Sequence, residues 1–130
     1  MTTEMTVLAW GCILALVHIF AAAQMKTKQY GTKWNAGPRD GELPPPAPIV
    51  GRLMRAQANY FETFPVMVAA VLIVTVAGLS TPTTQIGALL WLAARVIYLP
   101  LYVAGIPFIR SFAFLASVAG LLMTLWPALF

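Results

Sequence analysis

The chain has 130 residues, of which 60% are hydrophobic and 9% charged, with a mean hydropathy of +0.81. Ordinary soluble domains carry about 25% charged residues, so this composition excludes them and points to a membrane protein. Formal net charge is +4 and pI ≈ 9.7, but the basic residues collect at the ends of apolar runs and in one connecting segment. Membrane topology and anionic headgroups account for that placement. No basic run interleaves with aromatics, so no nucleic-acid partner is expected.

A span needs about 20 apolar residues, and the chain has room for four. We expect an all-α integral membrane protein, a four-transmembrane-helix bundle forming a single unit over residues 1–130. Its helices should lie at about 5–25, 51–78, 83–104 and 108–129, with a loop over 26–50.

The first span, Met5 to Met25, contains His18 and Gln24 as its notable polar groups. Ala21-Ala22-Ala23 looks like a small-residue cleavage site, but the acidic leader Met1-Thr2-Thr3-Glu4 and the length of the run favour a retained helix. His18 reads as a packed or hydrogen-bonded core residue. Cys12, alone in the chain, makes no internal disulfide and reads as a small core or lipid-facing residue. One His, one Cys and four acids provide no ligand spacing, so no metal is expected. The loop carries Lys26, Lys28, Lys33 and Arg39, then Gly41-Glu42-Leu43-Pro44-Pro45-Pro46-Ala47-Pro48, where the prolines favour extended polyproline geometry.

The second helix opens as polar sequence. Arg52, Arg55, Asn59 and Glu62 follow at i, i+3, i+7 and i+10, which makes one stripe on a continuous helix. Glu62 then lies about 15 Å along the axis from Arg52. A carboxylate at that depth is costly unless it faces protein or a wet cavity and finds a partner. The third helix carries Arg95 in mid-span and Tyr98 and Tyr102 one and two turns later. Gly105-Ile106-Pro107 makes a tight turn, and Arg110 and Ser111 open the fourth helix. Glu62 and Arg95 fall at equal depths of roughly 14–15 Å on adjacent helices, so we expect them to form a structural ion pair. By the positive-inside rule this basic end is cytoplasmic, with both termini on the opposite side.

Arg52, Arg55, Arg95 and Arg110 outnumber the one carboxylate in this zone, which therefore suits an anion. Arginine pairs hold carboxylates bidentately, while Asn59 and Glu62 can hold an amide or an ammonium. A polyanionic small molecule with one amino group matches that set. No protein nucleophile stands out, because Ser111 has no His or Lys base at helical spacing. Any chemistry would come from the ligand, with a cation stabilising a developing anion.

Arg52-x-x-Arg55-Ala56-Gln57-x-Asn59-x-x-Glu62-x-x-Pro65 resembles the signature of the MAPEG family, the membrane-associated proteins in eicosanoid and glutathione metabolism. It is especially similar to the leukotriene C4 synthase and microsomal glutathione transferase branches. Ala94-Arg95-x-x-Tyr98-x-x-x-Tyr102 followed by Arg110-Ser111 matches the family's later elements. The resemblance, to a bacterial-type member, implies a homotrimer in the inner membrane with glutathione sites at subunit interfaces open to the cytoplasm. It would make Arg55, Gln57, Asn59, Glu62, Tyr98 and Tyr102 glutathione contacts, with Arg52 nearby and Arg110 stabilising the thiolate. Lys26 or Lys28 would replace an arginine that the family carries at the end of the first helix. The second substrate would be a lipophilic electrophile or hydroperoxide partitioned in the bilayer. Ala58 stands where prostaglandin-synthase-like members carry another arginine, which argues against that isomerase reaction. Thr63 stands where the leukotriene-type branch is aromatic.

The residues also admit other classes. A non-catalytic lipid-binding or structural protein of the same fold would use the arginines to snorkel to headgroups and the tyrosines to pack. A small multidrug-exporter-like transporter would need an intramembrane carboxylate free of arginines, which Glu62 is not expected to be.

Overall fold

The computed structural model describes every residue from Met1 to Phe130. Five helices follow one another: α1 (Thr3–Tyr30), α2 (Thr32–Ala36), α3 (Pro48–Val76), α4 (Pro82–Val103) and α5 (Ile109–Leu129). All but the short α2 are long and apolar enough to cross a bilayer.

Two boundaries differ from expectation, both around the first connection. α1 continues through Lys26–Tyr30 because nothing there opposes a helix, and it stops only at Gly31, whose φ of 98° is open to glycine. α3 begins at Pro48, since proline lacks an N–H that the first helical position would leave unused anyway. The expected 26–50 loop therefore shrinks to α2 and a strap over 37–47. Pro44, Pro45 and Pro46 have no N–H, so carbonyls are what their backbone can offer. The end of α1 uses two of them: Tyr30 Oη donates to Pro44 O at 2.9 Å, and Gln29 Nε2 donates to Pro45 O at 3.1 Å. Gln29 Oε1 also accepts from the Ala47 amide at 2.8 Å.

The core is aromatic at the junction of α1, α3 and α4. Tyr60 and Trp91 are fully buried; Phe64 stacks on Tyr60 from one side, and His18 stacks on it at 4.7 Å. Tyr60 Oη donates to the Gly11 carbonyl and so ties α3 to α1. His18 is packed, as expected, but neither ring nitrogen has a hydrogen-bond partner. Cys12 is exposed on the outer face of α1.

α4 packs most closely against α5. The two helices cross at Gly87 and Gly120, where a Cβ on Gly120 would stand 2.5 Å from the Gly87 carbonyl oxygen. Small residues at such crossings let backbones approach and gain dispersion contacts that lipid tails cannot match. Glu4, the acid of the leader, is fully buried. Its carboxylate accepts from Ser80 Oγ at 2.9 Å and from Thr84 Oγ1, which fastens the start of α1 to the capped start of α4.

Candidate functional site

The site is built where α3, α4 and α5 meet at the end of the bundle opposite Glu4. α3 brings Arg52 and Arg55 one turn apart, α4 brings Tyr98 and Tyr102 one turn apart, and the turn at 104–108 returns the chain so that α5 presents Arg110 and Ser111.

Tyr102 is the hinge of the arrangement. Arg55 Nε donates to Tyr102 Oη at 3.2 Å, and the Arg110 guanidinium lies over the Tyr102 ring with Cζ 4.5 Å from its centroid. Arg52, Arg55, Tyr102, Gly105, Pro107 and Arg110 line a cavity of about 220 Å³. With three guanidiniums and no carboxylate in its wall, this cavity suits an anion. A second cleft of about 260 Å³ adjoins it, lined by Tyr98, Arg110, Ser111, Phe114 and Leu115. Arg110 belongs to both walls. It stands between a cationic cavity and a mainly apolar cleft.

The inner part of the stripe is arranged differently from expectation. Arg95 is fully buried, and its one hydrogen bond runs from Nη1 to Asn59 Oδ1 at 2.7 Å. Its guanidinium is sandwiched among rings, with Cζ 4.5 Å from the Tyr98 centroid, 5.3 Å from Tyr60 and 6.0 Å from Phe114. Nε and Nη2 have no partner. The expected Glu62–Arg95 ion pair is therefore absent from the chain, and Glu62 is exposed. Helical rotation explains this. Tyr60 points into the core, and Glu62 two residues later points about 160° away from it, whereas Asn59 lies within reach of the core face. Counting residues along two helices matches levels but leaves direction open.

Of the other candidate ligands, Gln57 and Asn59 are half-buried on α3. Tyr98 is buried and reaches the apolar cleft rather than the cationic cavity. Lys26 and Lys28, on the last turns of α1, line neither space within one copy of the chain. Arg52 does line the cavity, but its Nη1 also donates to Val103 O at 3.2 Å. The cleft residues Phe114 and Leu115 were not anticipated as site residues. Their spacing of i+4 from Arg110 and from Ser111 was the signal that places them on the same face.

A family model described as the MAPEG family matches residues 7–130, nearly the whole chain. Searches of curated proteins and of solved structures found no match. With that family and four helices able to cross a bilayer, the chain is an integral membrane protein.

Proposed function

The chain belongs to the MAPEG family, and from that premise we propose that it is a membrane-bound glutathione transferase or peroxidase acting on lipophilic electrophiles or hydroperoxides. The observation that carries this reading is Arg110 standing in the shared wall of the cationic cavity and the apolar cleft. Glutathione is a tripeptide with two carboxylates and a thiol. Its glycyl carboxylate suits Arg55, its γ-glutamyl end suits Asn59 and Glu62, and its sulfur would lie by Arg110.

A free thiol titrates near about 8.5, and an adjacent guanidinium favours the thiolate, which is the nucleophile. The thiolate sulfur would attack an electrophilic carbon lying in the cleft along Tyr98, Phe114 and Leu115. A C–S bond forms as the electron pair leaves with the departing group. With a hydroperoxide the sulfur takes the terminal oxygen, an alcohol leaves, and a second glutathione converts the sulfenic acid to disulfide and water.

Each cavity is smaller than the roughly 300–1,000 Å³ of ordinary ligand sites, so a bound tripeptide would extend beyond one copy of the chain. Glu62, exposed in the bilayer without a partner, likewise asks for a cover. A homotrimer with its sites between subunits, facing the cytoplasm from an inner membrane with both termini opposite, meets both needs. Glu62→Gln should then leave the protomer's helical content intact while reducing the trimer fraction and glutathione affinity. Native mass spectrometry beside calorimetry reads both, and an unchanged trimer that binds as before would remove Glu62 from the interface.

The decisive variant is Arg110→Ala in the detergent-solubilised protein. Thiolate absorbance at neutral pH should vanish and kcat/KM toward an electrophile should fall about 10²-fold, while calorimetric glutathione binding changes little. Parallel loss of binding and thiolate would show that Arg110 holds the tripeptide instead of activating its sulfur.

A further inference from the structure

α4 ends in a way that accounts for each of its last carbonyls. A helix leaves its final four C=O groups without partners inside the helix. Here Pro100 O accepts from the Ala104 amide, Leu101 O from Ile106, and Tyr102 O from Gly105. The Leu101–Ile106 bond with Gly105 in the left-handed region, φ 72°, is the glycine-terminated helix end. The fourth carbonyl, Val103 O, is met from another helix: Arg52 Nη1 of α3 donates to it at 3.2 Å. A guanidinium there also complements the negative end of the helix dipole.

The same side chain lies flat against the turn. A Cβ on Gly105 would stand 2.9 Å from Arg52 Cζ and 3.0 Å from Nη2. Gly105 is thus required twice, for its φ and for the clearance it leaves to Arg52. Beyond it, Phe108 holds φ 62° and ψ −57° and the Ile109 amide donates back to Pro107 O at 2.7 Å. This is the rare γ-turn of positive φ, strained for a residue with a side chain. Phe108 makes no side-chain cap for α5 and is exposed, so its side chain does nothing to hold that conformation. Two residues later comes Arg110.

We propose that Arg52 is the positioning residue of this site: it clasps the 104–108 turn through Val103 and Gly105, and thereby fixes where α5 presents Arg110. The role rests on the functional reading given above, in which Arg110 acts on the glutathione sulfur. Arg52 then acts through the turn, and Arg55 is left as the arginine of α3 whose charge is free for the ligand's carboxylate.

Gly105→Ala strains the turn and displaces the Arg52 guanidinium while keeping its charge, and Arg52→Gln removes the clasp with the turn residues unchanged. In the full chain in detergent, Gly105→Ala and Arg52→Gln should both speed amide exchange across 104–112 by about tenfold or more. Both should raise the midpoint pH of thiolate absorbance by about one unit, and both should leave the affinity for S-methylglutathione, which has no thiol to ionise, within about twofold. Arg52→Lys, which keeps one donor for Val103 O, should fall between wild type and Arg52→Gln on both scales and carries the test should Gly105→Ala fail to fold. Unchanged exchange in Arg52→Gln would overturn the clasp. So would a loss of S-methylglutathione binding in Arg52→Gln with Gly105→Ala resembling wild type, since Arg52 would then be an anion ligand. A wild-type chain that gives no thiolate signal would sink the functional reading instead, and the exchange data would decide the clasp by themselves.

Discussion

Gly120→Ala should unfold this bundle at a temperature far below wild type, although it adds a single methyl group. The added Cβ would meet Gly87 O at 2.5 Å and the Trp91 backbone nitrogen at 2.6 Å. Neither contact is the end of a flexible side chain that can swing aside, so α4 and α5 must separate as whole helices. Overpacking of a well-filled interior costs about 1–3 kcal/mol, and a backbone-to-backbone clash belongs at or above the top of that range. Separation also loosens Trp91, which is fully buried against Tyr60 and Phe64. Gly87→Ala meets the same crossing from the other side, with Met123 Cβ at 2.6 Å and Gly120 O at 2.7 Å. Because both substitutions open one interface, the double variant should cost clearly less than the sum of the singles. Gly41→Ala, with nothing within 4 Å of its Cβ, serves as the control and should melt like wild type. Thermal unfolding in detergent, followed by circular dichroism, measures all four; a Gly120→Ala chain that melts with the control would mean that the α4–α5 crossing is looser than this geometry.

Such features mark the boundary of what the sequence discloses. The four spans were legible because apolar length is a one-dimensional property, and the element ends that shifted, at Tyr30 and Pro48, are places where composition changes but helix compatibility does not. That the outer residues cluster was legible too. Arg52 and Arg55, Tyr98 and Tyr102, and Arg110 and Ser111 are each local pairs whose spacing fixes a shared or neighbouring face. What the sequence hid was pairing between helices. Depth along two helices can be counted, but the direction of each side chain depends on which face the core selects. Tyr60 and Trp91 select it, and they turn Asn59 toward Arg95 and leave Glu62 outside. The Arg52–Val103 bond was invisible for the same reason: an orphan carbonyl has no signature of its own, and it becomes a partner only when another helix ends beside it. Glu4 shows the converse. Read as part of an acidic leader, it lies buried on two hydroxyls that are more than seventy positions away in the chain.

Asn59→Ala should be the most damaging change in the stripe, and it tests the arrangement at its least balanced point. The Arg95 guanidinium is fully buried, with two nitrogens unpartnered, and Asn59 Oδ1 is its one hydrogen-bond acceptor. The rings of Tyr98, Tyr60 and Phe114 supply cation–π attraction, worth about 2 kcal/mol at a desolvated site, but they cannot accept the N–H groups in the way an oxygen does. Leaving a buried donor without its acceptor costs about 1–3 kcal/mol, and more when the donor is charged, whereas an apolar residue of similar volume at position 95 leaves no donor to satisfy. Asn59→Ala should therefore lower stability steeply, and adding Arg95→Met should recover most of the loss. Arg95→Met alone should change stability little, because Asn59 is half-buried and its amide can turn to other partners. A double-variant cycle on the thermal unfolding of the detergent-solubilised chain gives the coupling between the two residues. The same cycle run on Glu62→Gln and Arg95→Met should give none within a protomer. Strong coupling to Glu62 with none to Asn59 would return the carboxylate to the role its depth first suggested, and would mean that α3 is rotated relative to the arrangement in which Tyr60 faces the core.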